Sequence, residues 1–451
     1  MISPRTASVQ APRAARAPIT TATDSYRLAR AFLVLLSLTV VDVFNVLDRG
    51  LAAFRPNAEA GGPIRYLVLL VPISVVALVR LQSPSFLVRR PSVSELVLAV
   101  MFALGLGGAL VGSMMLGNEE TARPVFLPMS LGLLAVFAVR EPTEREVGRI
   151  HRWLSNIGLV YIVMNALVNT GVLPFSEYQQ YRNASVAFLA LGIGAAAAAG
   201  QRRRLVVELL LTVVVFVTYP SATMVLALLT MAFTLYLTTG RATPLRSVVI
   251  AGTLVAFAVF ALSNLEAGVR ASNEYFDLVN KANANASRLD LWSAGFDRFE
   301  ESPLVGSVFS GDAVAERSRD GRALPYHNDF VLFLALGGLL GIGLLLWWIG
   351  ITEATLIQRI HRFRRAGDHR RAALLRAILV GLNAFLVAMA FNPVLSGASR
   401  SAVVFGLYAI AMSLGAPTSR SIERPEAQPE PASDRHEPFH AGGGAGAAPS
   451  A

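Results

Sequence analysis

The feature that most constrains this chain is a recurring one. Apolar runs of about 17–23 residues follow one another from Ala31 to about Gly415, separated by short basic or polar connections. A run of that length crosses about 30 Å of hydrocarbon as a helix rising about 1.5 Å per residue. In hydrocarbon every backbone N–H and C=O must be satisfied within its own segment, so such runs fold as a bundle of membrane helices. Composition agrees with this. Hydrophobic residues make up 54% of the 451 and charged residues only 16%, where a soluble chain carries roughly a quarter charged. The expectation is an all-α integral membrane protein.

The runs read as about twelve spans. They cover approximately 31–47, 64–80, 94–117, 124–140, 153–170, 184–200, 205–219, 221–239, 246–263, 329–351, 374–391 and 400–415. Leu205 to Thr239 is too long for one crossing, and Tyr219-Pro220 divides it. Proline removes a backbone donor and ends the helix before it, which predicts a tight turn between two helices.

The net charge of +10 does not indicate nucleic acid, because the basic residues sit in short connections between apolar runs. Arg5, Arg13, Arg16, Arg27 and Arg30 precede the first span. Arg80, Arg89 and Arg90 follow the second, Arg202 to Arg204 the sixth, Arg241 and Arg246 the eighth, and Arg359 to Arg371 the tenth. Connections of the other parity are near-neutral or acidic, as at Glu119 and Glu120. Positive residues concentrate on the cytoplasmic side, so the alternation predicts an even span count with both termini in the cytoplasm. Cysteine is absent, which removes disulfides, thiol nucleophiles and cysteine–metal sites from consideration. No metal or cofactor is expected.

The expected organisation is therefore a cytoplasmic tail over 1–30, spans one to nine over 31–263, an external segment over 264–326, spans ten to twelve over 327–415, and a tail over 416–451. That last segment is rich in Pro, Glu, Ser, Ala and Gly, with too little apolar surface to fold. No cleaved signal is expected, since the first apolar run is too long for a signal core.

Only the connection between spans nine and ten is long, and a loop of this length is functional or disordered. Helix signals favour function. Ser287-Arg288-Leu289-Asp290 has the form of a capping box, and Leu289, Trp292, Phe296 and Phe299 recur at three- and four-residue steps. Pro303 and Gly306 end the pattern. The prediction is a short amphipathic helix on the outer membrane surface or over the mouth of the bundle. Arg288 falls in its first turn, where the helix dipole disfavours a cation unless an anion shares the site. A solvated arginine paired with a nearby carboxylate is the simpler alternative.

Farther on, "YHNDFVLFLALGGLLGIG" places His327 and Asn328 at the start of an apolar, glycine-rich run. Together, Arg288, Trp292, Pro303, Gly306, His327, Asn328, Gly337 and Gly341 resemble the signature region of the O-antigen ligase and O-antigen polymerase superfamily. The resemblance covers about sixty residues, with topology extending it across the chain. It implies a metal-independent membrane glycosyltransferase acting on glycan carried by undecaprenyl diphosphate at the outer face of the cytoplasmic membrane. The glycan donor, a glycan or lipid acceptor, membrane lipids and partners in polysaccharide assembly or export are the implied contacts.

The resemblance also assigns roles. His327 would take the acceptor's proton, and Arg288 would hold the departing diphosphate. Arg270, Arg182 and Arg400, each near an expected outer helix mouth, complete a phosphate clamp or else are interfacial arginines. Asn328, Trp292 and Asp42 stand as supporting residues, Asp42 because an ionisable residue within a span is a functional candidate. One departure matters. Many relatives carry a Ser-Arg pair in a central span, where this chain reads "YPSATM" with Ala222. Polymerisation and ligation both fit, and the Arg- and Ala-rich composition tilts the reading toward polymerisation. A polytopic transporter or flippase for lipid-linked glycan is the rival. Glu208 is expected to pair with the arginines before it, Asn165 to bridge helices, and Gly337 with Gly341 to permit close helix packing.

Overall fold

The computed structural model describes residues 92–116, 139, 142–173, 185–218, 222–239, 291–309, 316–317, 323–324, 328–391, 394–395 and 398–414. All of them belong to one compact unit. The expected spans 31–47, 64–80, 124–140 (Val139 apart) and 246–263 lie outside the described residues, as do 264–290 and the tail.

What is described is almost entirely helical. In chain order the helices are α1 (Val93–Leu116), α2 (Glu144–Asn169), α3 (Ser185–Ala198), α4 (Arg202–Thr218), α5 (Ala222–Thr239), α6 (291–301), α7 (Asp329–Arg365), α8 (His369–Met389) and α9 (Ala398–Ser413). A 3-10 turn, Gly306–Phe309, follows α6. A two-residue antiparallel ladder pairs β1 (Glu316–Arg317) with β2 (Ala323–Leu324). By length and composition α7 and α8 can each cross a membrane, while α1, α3, α5 and α9 contain shorter apolar stretches.

Local signals set the ends. Ser92 and Glu95 bond reciprocally at the start of α1, with Ser92 N–H donating to Glu95 Oε2 at 2.7 Å. Thr143 and Glu146 open α2 in the same way, at 2.7 Å. Asp368 caps α8 by accepting from the Arg371 N–H. Between α4 and α5 the helix stops at Thr218 and resumes at Ala222, so two helices rather than one kinked helix occupy this stretch.

α3 is the central post, buried on every side from Val186 to Ala196 and packed mainly on α8 and α2. Its sequence explains this. A Cβ on Gly158 of α2 would lie 2.1 Å from the Gly192 Cα of α3, so the two backbones touch. Gly194 likewise meets Val380 of α8, and Gly381 of α8 meets Leu191. Within a membrane, apolar burial gives helices little reason to associate, and small residues gain association by van der Waals contact. Aromatic rings fill the wider seams. Tyr161 stacks on Phe188 at 4.0 Å, and Phe188 meets Phe385 edge-on at 5.2 Å. Tyr408 of α9 donates to Ser94 Oγ of α1 at 2.9 Å, which joins the two ends of the described chain.

Candidate functional site

α6 does not simply lie over the bundle. Its chain turns at Ser302–Val305 and enters a break in α7. At Gly338 the α7 backbone leaves helical geometry, with φ 58° and ψ −154°. The break frees N–H groups, and the turn satisfies them. Leu339 N–H donates to the Pro303 carbonyl at 2.8 Å, and Leu340 N–H to the Leu304 carbonyl at 3.1 Å. Ser307 Oγ donates to the Ala335 carbonyl at 3.2 Å from the other side. Non-helical backbone inside an apolar span is tolerated where protein covers it, and this turn is the cover.

Two glycines make the approach possible. A Cβ on Gly306 would lie 2.3 Å from the Leu336 carbonyl carbon, and one on Gly338 would lie 2.6 Å from that of Leu304. Both have positive φ, 66° and 58°. The sequence reading put close packing at Gly337 and Gly341, and among the described residues it is found at Gly338. Among the described residues nothing lies within 4 Å of a Cβ on Gly337, and Gly341 meets only the Phe333 carbonyl, at 3.1 Å. The close packing is at Gly338, and its partner is a turn rather than a neighbouring helix.

The buried face of α6 is also turned from the expected stripe. Leu291 and Gly295 are buried and Trp292 packs against the core, but Phe296 is 46% exposed. The face is centred nearer Leu291 and Gly295, because the turn at Pro303 fixes how the helix meets α7. Trp292 Nε1 is buried without a hydrogen-bond partner among the described residues.

The start of α7 is built by consecutive residues with separate tasks. Asn328 is its N-cap, and its Oδ1 accepts from Phe330 N–H at 2.9 Å and Val331 N–H at 3.2 Å. Asp329, 1% exposed, reaches instead to the segment between α8 and α9. Its Oδ2 accepts from the Val394 and Leu395 N–H groups, both at 2.7 Å. α9 begins three residues later, and Arg400, half-buried, sits in its first turn.

Of the residues expected at a site, Asn328, Trp292 and Arg400 are described. His327, Arg288, Arg270, Arg182 and Asp42 lie outside the described residues, as does the Ser287–Asp290 capping box. Asp329, Ser307 and Gly338 escaped the sequence reading. An acidic residue directly after the His-Asn pair was the one available signal for Asp329.

The opposite end of the bundle is held by arginines. Arg359 Nη1 donates to the carbonyls of Ala411, Met412 and Leu414, where α9 ends, at 2.9, 3.0 and 2.7 Å. Arg364 Nη1 donates to the Thr238 carbonyl at 2.8 Å, and Arg376 Nε to its hydroxyl at 3.1 Å. Helix C-termini expose carbonyls and carry partial negative charge, so cations fit there. Glu208 pairs with Arg204 as expected, Nε to Oε1 at 2.7 Å. The same guanidinium also donates to Asn156 Oδ1 at 2.9 Å and to the Ser155 carbonyl, tying α4 to α2. Asn165 is buried on α2.

Residues 206–346 match a family model described as O-antigen ligase. The match takes in α6, the inserted turn, the break at Gly338 and the start of α7. Arg270 and Arg288 fall within it, and Arg182, Arg400 and Asp42 do not. No curated protein matches the chain.

Proposed function

We propose, for a chain that belongs to the O-antigen ligase superfamily, that it polymerises or ligates glycan carried on undecaprenyl diphosphate at the outer face of the cytoplasmic membrane. One observation carries the reading. The family match covers the stretch in which a Trp292-bearing helix turns at Pro303 into a broken span whose start is capped by Asn328.

The reaction is a displacement at an anomeric carbon. An acceptor hydroxyl attacks, a new C–O bond forms, the bond to the diphosphate oxygen breaks, and lipid diphosphate leaves with the electron pair. His327 takes the hydroxyl proton, since an imidazole titrates near neutral pH. Negative charge grows on the diphosphate as the bond breaks, and preorganised cations lower that barrier. Arg288 is the first of them, with Arg270, Arg182 and Arg400 completing the clamp. Guanidinium groups suit this work because their planar donors meet phosphate oxygens in pairs. The chain lacks the central-span arginine of many relatives, so the loop and helix-mouth arginines carry that share.

The test replaces His327 and Arg288 separately with Ala in cells making the cognate glycan. Lipid-linked products are then separated on gels and weighed by mass spectrometry. Accumulated single repeat units identify a lost polymerase, and accumulated long lipid-linked chains identify a lost ligase. Unchanged glycan with normally inserted protein refutes the site assignment. Accumulation on the cytoplasmic side alone refutes transfer and supports a flippase.

A further inference from the structure

Asp329 is not the residue that caps α7. The N-cap of α7 is already supplied by Asn328, whose side chain takes the Phe330 and Val331 N–H groups. A carboxylate at the first helical position gains a little from the helix dipole, but such a gain does not require burial. This one is 1% exposed. A buried carboxylate is costly unless its oxygens are bonded, and the two bonds at 2.7 Å from the Val394 and Leu395 N–H groups offset part of that cost. Both donors are backbone groups of a segment 65 and 66 residues away. The contact therefore depends on the main chain at 394 and 395, and on the side chain at 329.

The contact joins two places of interest. On one side Asp329 follows His327 and Asn328 directly. On the other, Val394 and Leu395 lead into the first turn of α9, where Arg400 sits. We propose that Asp329 is a positioning residue: its buried carboxylate fastens the 394–395 segment to the start of α7, and so sets where Arg400 stands relative to the Asn328 end of the span. This rests on the functional reading above, in which Arg400 belongs to the clamp that binds the diphosphate of the donor. In this role Asp329 acts on the donor indirectly. Its effect passes through the geometry of Arg400, so it falls chiefly on donor binding.

The experiment uses the full chain in proteoliposomes, with a short-chain polyprenyl-diphosphate-linked oligosaccharide as donor. Asp329→Ala is expected to raise the donor KM about tenfold or more and to change kcat much less. In Asp329→Asn one oxygen remains to accept both N–H bonds, so most of the loss is recovered. Arg400→Ala raises the same KM, and adding Asp329→Ala to it brings little further change, because two residues acting through one contact are not additive. An unaltered KM in Asp329→Ala overturns the proposal. So does an Asp329→Asn variant as impaired as Asp329→Ala, or a double variant whose effects multiply. Should Asp329→Ala fail to insert, Asp329→Glu moves the carboxylate by one methylene, and an unaltered KM there overturns it equally. His327→Ala and Arg288→Ala separate the two levels. If both retain full activity the functional reading fails, and if both lose it while Asp329→Ala is normal only the present inference fails.

Discussion

The junction between the turn at Pro303–Ser307 and the break at Gly338 gives a prediction that distinguishes glycines within a single run. Gly338 has φ 58° and ψ −154°, a region that is essentially glycine-only and costs other residues of order 1–3 kcal/mol. A methyl group there would sit 2.6 Å from the Leu304 carbonyl carbon and 2.7 Å from Gly306 N. Those are backbone atoms of a seated turn and have nowhere to rotate. The turn must back away, which costs the bonds from Leu339 and Leu340 to Pro303 and Leu304. A buried N–H left without a partner costs roughly 1–3 kcal/mol. Together the strain and the two lost bonds give about 3–9 kcal/mol, a large part of the about 5–15 kcal/mol by which domains are stable.

Gly338→Ala and Gly306→Ala should each cost about that much, and the pair together less than the sum, because either one opens the junction. Gly337→Ala, with nothing among the described residues within 4 Å of its Cβ, should fall within about 0.5 kcal/mol of the parent, in the range of substitutions away from special features. Gly341→Ala should be intermediate. The measurement is chemical unfolding of purified protein in mild detergent, followed by tryptophan fluorescence. Equal losses for Gly337→Ala and Gly338→Ala would refute the reasoning, and so would a Gly338→Ala variant as stable as the parent.

Two further outcomes follow from buried charge. Arg204→Ala leaves the buried Glu208 carboxylate without its cation and should cost about 3–5 kcal/mol; Arg204→Ala combined with Glu208→Leu should regain most of it, and unfolding midpoints of the two variants decide the matter. Arg359→Met strips the end of α9 of a donor shared by Ala411, Met412 and Leu414 and should cost about 1.5–3 kcal/mol, as for other hydrogen bonds to charged groups. Arg359→Lys should keep part of that through the helix dipole, and a lysine variant no better than methionine in the same unfolding assay would argue against a charge effect.

Helix placement was legible wherever an apolar run was long and its ends were marked. Pro220 separated α4 from α5, and the runs at 94–117 and 184–200 fall on α1 and α3 almost residue for residue. The extent of α7 was not legible. It continues to Arg365, well past the apolar run ending near 351, because Leu356 and Ile360 keep one face buried while the rest of the surface turns polar. Period and composition identify a crossing, but an amphipathic extension beyond it has the pattern of an ordinary surface helix.

The break at Gly338 was hidden for a different reason. Gly337 and Gly338 are the same residue side by side, and only the approach of another backbone tells them apart. Asp329 was hidden likewise, since its donors are main-chain groups with no signature in the sequence. Side-chain chemistry such as the Arg204–Glu208 pair shows in a sequence, and backbone-to-backbone fitting does not.

That α7 is broken has a mechanical consequence. An unbroken helix carries a twist or tilt applied at one end to the other through its continuous hydrogen-bond ladder. Here the ladder is interrupted at Gly338 and bridged by a foreign turn. The shorter rod is moored to the α8–α9 segment by Asp329, and the longer one to the ends of α5 and α9 by Arg364 and Arg359. Each rod is clamped at its own far end, and the inserted turn bonds to both at the break. The aim of the rod that starts at Asn328 is therefore set by its own contacts, and the scaffold at the opposite end is set by others.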